Sequence, residues 1–310
     1  MEIIRGIHNV RDRHRGCAVT VGNFDGVHHG HRRVLEHLNA KRDELGAPST
    51  LITFEPLPRE FFRGNTMPTR LTRFREKMWL LDQCGLDRVL CLPFNERLAQ
   101  VTASSVIEDF LVGRLGVRYV VVGDDFRFGR GREGDYTMLK AAGERHGFDV
   151  SHIGTFSVDG ERVSSTRIRA VLAEGDLAMA SKLLGHDYFI MGRVIAGRRL
   201  GRTLGAATAN LQLKHYRAAV DGVYAVEIDG LERRYQGIAN IGVRPTVDGR
   251  TPLLEVHIFD FEGDIYGARL CIVLRKRIRA EERFPSLDAL KAQIALDIVA
   301  ARSFFGDSRG

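Results

Sequence analysis

Thr20-Val21-Gly22-Asn23-Phe24-Asp25-Gly26-Val27-His28-His29-Gly30-His31 is the stretch whose reading decides the fold. Before it, Cys17 to Val21 is short, apolar and β-branched, as a buried strand should be; after it, Val34, Leu35, Leu38 and Leu45 recur at helical spacing. The motif therefore sits on a strand-to-helix turn. Gly22, Gly26 and Gly30 permit a tight turn and close approach of a ligand to the backbone, and a helix opening near Gly30 aims its unpaired N–H groups at an anion. His28 and His31, three apart, can point into one pocket. Two histidines alone would more often be surface or packing residues, but phosphate binding explains the glycines and the imidazoles together.

Outward from this turn, apolar strands alternate with amphipathic helices. Strands are predicted at Ala18 to Val21, Thr50 to Phe54, Arg88 to Leu92, Tyr119 to Val122 and Phe148 to His152, and helices near His31 to Leu45, Arg73 to Cys84, Ser105 to Leu115 and Met138 to His146. This alternation favours an α/β fold with a Rossmann-like, doubly wound parallel sheet, whose ligands bind beyond the carboxyl ends of the strands. Two short helices follow, near Ser165 to Ala173 and Asp176 to Leu184, with Gly185 as cap. From Phe189 the texture changes to strands broken by Asp-Gly turns, at Phe189 to Ile195, Val223 to Ile228, Gln236 to Ile241, Leu253 to Phe259 and Leu270 to Leu274. That spacing predicts a small antiparallel β-barrel or sandwich, closed by a terminal helix from Ser286 to Phe305. The expected domains are residues 1–186 and 187–310.

Composition narrows the functional classes. With 310 residues, 44% hydrophobic and 27% charged, the chain has the makeup of a globular protein, and no run of about 18 apolar residues predicts a membrane span. The first residues lack the apolar core of a signal peptide, so the expected address is the cytoplasm. Cys17, Cys84, Cys91 and Cys271 are scattered without a C-x-x-C pair and read as reduced thiols. A net charge of +7 suits nucleic acid or polyphosphate, but the basic residues are dispersed, which weakens the nucleic-acid reading.

Three further segments carry chemistry. Val163-Ser164-Ser165-Thr166-Arg167-Ile168-Arg169 places hydroxyls at a helix start with arginine behind them; a cap needs only the hydroxyl, whereas a triphosphate calls for donors and positive charge. Gly123-Asp124-Asp125-Phe126-Arg127-Phe128-Gly129 follows a strand, and its aromatics offer walls for a planar ring, although Asp after a strand is often only a turn former. Leu253 to Phe259 alternates, which puts Glu255, His257 and Phe259 on one face and Leu254, Val256 and Ile258 on the other.

These segments resemble known families. The G-x-F-D-G…H-x-G-H turn with V-S-S-T-x-x-R is similar to nucleotidyltransferases of the H-x-G-H class. With Thr53-Phe54-Glu55-Pro56-Leu57-Pro58, Leu71-Thr72, Phe94-Asn95 and Arg132-Glu133-Gly134-Asp135, the match looks like the FMN adenylyltransferase module of bifunctional bacterial riboflavin kinase/FAD synthetases. The resemblance implies that His28, His31, Arg169, Gly22, Phe24, Gly30, Ser164, Ser165 and Thr166 serve ATP and its phosphates, with Asn23, Asp125, Phe126 and Phe128 at the flavin. The second half resembles the riboflavin kinase module through Gly201-Arg202-Thr203-Leu204-Gly205, Thr208-Ala209-Asn210-Leu211 and Ala239 to Thr246. There the resemblance assigns Gly201 and Arg202 to ATP, Thr208 and Asn210 to Mg2+ and phosphate, Glu255 to general-base catalysis and Arg279 to the flavin.

The implied function is two-step FAD synthesis, with riboflavin, FMN and ATP as ligands and neither nucleic acid nor membrane as partner. One departure stands out: the family writes F-P-T-A-N where this chain has Ala206-Ala207-Thr208-Ala209-Asn210, which predicts weaker substrate binding in the kinase half. Leu57 falls where many relatives carry a polar residue. Two alternatives stay open at this point, an FMN adenylyltransferase whose barrel only binds flavin, and an RNA-binding or tRNA-charging protein. The latter class would carry K-M-S-K-S in place of Val163-Ser164-Ser165-Thr166.

Overall fold

The computed structural model describes residues 1–63, 69–195, 208–213, 218–246 and 249–307. They form two compact units, Met1–Pro68 with Lys77–Ser164, and Thr69–Glu76 with Ser165–Gly310.

The first unit is built on a six-stranded parallel sheet of β1 (Glu2–Arg5), β2 (Ala18–Val21), β3 (Ser49–Glu55), β4 (Arg88–Pro93), β5 (Tyr119–Gly123) and β6 (Asp149–Ile153), in the order β1-β4-β3-β2-β5-β6. The chain moves outward from β2 on one side and resumes with β5 on the other. The reversal of strand order therefore lies between β2 and β5, where open α/β sheets bind ligands. Ala18, Val19, Val120 and Val121 are fully buried, which explains why these strands read as continuous apolar runs. Helix α1 (His29–Leu45) buries Val34, Leu35 and Leu38 and ends at Gly46 in the left-handed conformation. A hairpin of β7 (Ser157–Val158) and β8 (Glu161–Arg162) follows β6.

The structure differs from the sequence reading at several elements, among them a strand and a helix. Strand β1, parallel to β4, is not anticipated because of its four residues only Ile4 is buried, so no apolar run marks it. Val106–Arg114 forms a π-helix, where spacing alone predicts an α-helix; the two buried positions, Ile107 and Leu111, fit either winding.

In the second unit, the helices Ser165–Glu174 and Leu177–Leu184 precede a closed antiparallel barrel. Asp176 caps the second helix by accepting from the Met179 N–H at 2.9 Å, and Gly185 ends it at φ 75°. The barrel strands are β9 (Phe189–Ile195), β10 (Thr208–Gln212), β11 (Gly222–Asp229), β12 (Tyr235–Thr246), β13 (Gly249–Ile258) and β14 (Arg269–Arg279), in the cyclic order β10-β13-β12-β11-β14-β9. Leu211, Tyr224, Val226, Ala239, Ile241, Leu254, Val256 and Ile258 are buried, as the alternation along β13 predicts for its inner face. On another face Val223, Ala225, Ile238 and Phe259 pack against Ala301 and Phe305 of the terminal helix Leu287–Asp307. Strand β10 escapes the sequence reading, which treats that segment only as a motif.

Candidate active sites

The Gly22–His31 turn leaves β2 at the point where strand order reverses. Its rings form a stack: Phe24 lies over His31 with centroids 4.6 Å apart, and His31 over His28 at 3.7 Å and 17°. The glycines make room for that stack, since a Cβ on Gly22 would come within 2.9 Å of the Phe24 ring and one on Gly30 within 3.3 Å of the His28 ring. His28 precedes helix α1 in an extended conformation, no side chain caps the helix, and its first turn holds no acidic residue. The helix thus presents free N–H groups and a positive dipole end to an anion. His28 is buried and His31 half-buried, and the His31 Nδ1 is buried with no hydrogen-bond partner among the described residues. Burial first, then His28 and the Lys77 ammonium, push the His31 imidazole well below the usual histidine range. The His31 imidazole is therefore neutral near pH 7 and offers an N–H donor.

At the end of neighbouring β5, Asp124 fixes the loop by accepting from the Thr155 N–H at 2.6 Å and from its hydroxyl at 3.0 Å. Asp125 is exposed and pairs with Arg162 at 2.8 Å. Phe126 and Phe128 stack at 5.5 Å, half-buried against the sheet core. A second aromatic group has no assigned role in the sequence reading: Phe54 and Phe94, with Phe61 and Phe62 of helix α2 (Pro58–Arg63), make edge contacts with centroids 5.3 to 5.8 Å apart. Phe54 lies in β3 and Phe94 directly follows β4, so the group stands at the ligand-binding edge, and Phe62 is 68% exposed. The signal available in the sequence was the adjacent Phe61-Phe62 pair beside the quoted Pro-Leu-Pro segment. Leu57 of that segment is buried, and its N–H donates to Glu60 Oε2 at 2.8 Å.

Ser164 closes the first compact unit and Ser165 opens the helix Ser165–Glu174 in the second. Val163 is buried, Ser164 and Ser165 are half-buried and Thr166 is exposed. The Arg169 guanidinium donates from Nε to the Thr69 carbonyl at 2.5 Å.

The barrel aligns polar groups from distant parts of the chain. By strand register, Asn210 of β10 faces Glu255 of β13, Glu255 faces Asn240 of β12, Asn240 faces Val223 of β11, and Val223 faces Arg279 of β14. Residues paired in this way share one face of the sheet. Asn240 also lines a cavity of about 440 Å³ with Arg279, Glu281, Glu282, Phe284, Ser286, Leu287 and Leu290. Glu255 therefore neighbours the wall of a pocket large enough for a small ligand. Arg279 holds the terminal helix: its Nε donates to both oxygens of buried Asp297 at 3.0 Å and its Nη2 to Oδ2 at 2.8 Å, with its plane 5.4 Å from the Phe284 ring. Burial and the nearby Asp221 raise the Glu281 carboxyl above its ordinary value. Gly201, Arg202, Ala206 and Ala207 lie outside the described residues, and Thr208 is placed only by register, opposite His257.

Two family profiles match the chain, FAD synthetase over residues 10–167 and riboflavin kinase over residues 184–305. The bifunctional riboflavin kinase/FMN adenylyltransferase of Escherichia coli strain K12 is 51% identical over 308 residues, spanning 99% of this chain and 98% of the relative. The chain belongs to the bifunctional riboflavin kinase/FMN adenylyltransferase family. The Pseudomonas fluorescens member is 48% identical over 310 residues, with 99% of each chain covered. A solved structure from Streptococcus pneumoniae, described as a macrolide-efflux protein, superposes with a TM-score of 0.81 at 28% identity over 96% of this chain and 97% of that one. In this chain no helix among the described residues is long and apolar enough to cross a membrane. Like its family, the protein carries both activities, ATP-dependent phosphorylation of riboflavin to FMN and adenylylation of FMN to FAD.

Proposed function

We propose that residues 1–186 form the adenylyltransferase domain and 187–310 the kinase domain, and that each reaction uses the side chains grouped above. In the first domain an FMN phosphate oxygen attacks the ATP α-phosphorus, and the bond to the β-phosphate breaks to release pyrophosphate. His28, His31 and the N-terminal amides of α1 stabilise the charge that develops there, Gly22 and Gly30 admit the phosphates, and Phe24 holds the imidazoles in their stack. Ser164, Ser165, Thr166 and Arg169 join the ATP site on the strength of their motif. Asn23, Asp125, Phe126 and Phe128 line the flavin side, and the Phe54, Phe61, Phe62 and Phe94 group, exposed at Phe61 and Phe62, adds apolar surface for the ring. The observation that carries this reading is the three-ring stack at an uncapped helix start, placed at the reversal of strand order.

In the second domain, Glu255 takes the proton of the riboflavin 5′-hydroxyl as it attacks the ATP γ-phosphorus. The cavity beside Asn240 and Arg279 holds the ring. Asn210 and Thr208 are oxygen donors of the kind Mg2+ prefers, and no cluster of three or more His, Cys, Asp or Glu that could hold a metal occurs among the described residues. That donor set fits an ion bound largely by substrate phosphates. An ion held there by Thr208 and Asn210 would supply positive charge to offset that of the ATP phosphates. Gly201 and Arg202 are assigned to ATP by motif. Four free cysteines and dependence on ATP favour the cytoplasm. A chromatographic time course with riboflavin, ATP and Mg2+ tests the reading: FMN should appear first and FAD second, and the absence of both products would overturn it.

A further inference from the structure

Lys77, in helix α3 (Phe74–Gln83), is 2% exposed, a costly place for an ammonium group. Its Nζ donates to the Asn23 carbonyl at 3.1 Å and to Thr53 Oγ1 at 3.2 Å, and Thr53 Oγ1 in turn makes a long contact, 3.5 Å, to the same carbonyl. Two side chains, themselves hydrogen-bonded to each other, therefore close on the backbone of the phosphate-binding turn. The residue after Asn23 is Phe24, at φ 50°, and Val27 of the same turn has φ 41°. Left-handed backbone is unusual outside glycine and is an outlier for a β-branched residue; it persists only where the surroundings over-determine it. The carbonyl that Lys77 grips belongs to the peptide leading into Phe24, and the Phe24 ring stacks on His31.

We propose that Lys77 is a positioning residue for adenylyl transfer: it clamps the Asn23 carbonyl and so holds the strained turn that presents Phe24, His31 and His28 to the nucleotide. The inference rests on the reading of His28 and His31 as phosphate donors. A lysine that merely stabilised the fold would not need to sit where it also bears on the imidazoles. The titratable groups that act on His31 are His28, from the turn, and Lys77, from α3, and both add to burial in keeping the ring neutral.

The test uses full-length protein and measures FAD formation from FMN, FMN formation from riboflavin, and the His31 titration by NMR. Lys77→Met should lower kcat for FAD formation by about a hundredfold or more, leave riboflavin phosphorylation within about twofold, and move the His31 midpoint upward. An unchanged kcat, or an unmoved His31 midpoint, would overturn the proposal. If Lys77→Met also loses kinase activity through misfolding, Thr53→Val decides, because it removes a hydrogen bond while keeping the side-chain shape. It should lower FAD formation by about threefold or more at unchanged riboflavin phosphorylation, and wild-type FAD formation would overturn the proposal. His31→Ala separates the two claims. Wild-type FAD formation by His31→Ala overturns the phosphate-donor reading, whereas its loss together with a fully active Lys77→Met overturns the role of Lys77 alone.

Discussion

The Gly22–His31 turn and the Asn210–Glu255–Asn240 row are assembled in opposite ways. The turn takes its groups from one continuous decapeptide, and a single strand end and a single helix start place them. The row draws on three strands, and only the register of the barrel brings its residues side by side. A local site depends on backbone conformation, so its weak points are glycines and positive φ angles. A site assembled by register depends on whatever holds the barrel and its covering helix together.

This contrast orders the expected effects of mutation. Asp297→Ala removes the carboxylate that binds Arg279 and leaves a largely buried guanidinium without its main partner. It should cost about 3 kcal/mol of stability in urea unfolding and weaken riboflavin phosphorylation while sparing FAD formation from FMN. Gly22→Ala drives a methyl group into the Phe24 ring and should reduce FAD formation about tenfold with little change in the kinase.

A pH experiment probes the first unit through its histidines. The folded state holds the His31 and His37 imidazoles below their ordinary value, mainly by burial, so the unfolded chain binds more protons in the window beneath about pH 6.5. Stability from these groups is complete above that pH and falls as the solution is acidified. The fluorescence of Trp79, the single tryptophan, should report a lower unfolding midpoint for the first unit at pH 5.5 than at pH 7.5. Smallest of all, the paired change Ala206→Phe/Ala207→Pro should lower the KM for riboflavin by about two- to fivefold, because proline preorganises the residue that follows it. No change in KM would mean that the two alanines do not weaken the kinase.

The same contrast explains what the sequence revealed. The strand β2, its turn and helix α1 were legible because apolar runs, glycines and helical spacing lie next to one another. The face-to-face alternation of Leu253 to Phe259 likewise foretold that Leu254 and Val256, which the structure buries, lie on the face opposite Glu255. Alternation cannot say which strand lies beside which, so the meeting of Glu255 with Asn210 and Asn240 required the structure. Strand β1 was hidden because an edge strand buries too little to leave a pattern. Lys77 was hidden for another reason: a lysine in an amphipathic helix reads as solvated, and only three-dimensional packing reveals that it ends under the turn.

The central claim is that two chemistries occupy two independent sites in one chain. Giving FMN and ATP, and separately riboflavin and ATP, to Glu255→Gln and to His31→Ala tests it most directly. The account requires Glu255→Gln to make FAD at the wild-type rate while its phosphorylation of riboflavin falls at least about a hundredfold. It requires His31→Ala to make FMN normally while its FAD formation falls by a similar factor. Loss of both activities in either variant would contradict it.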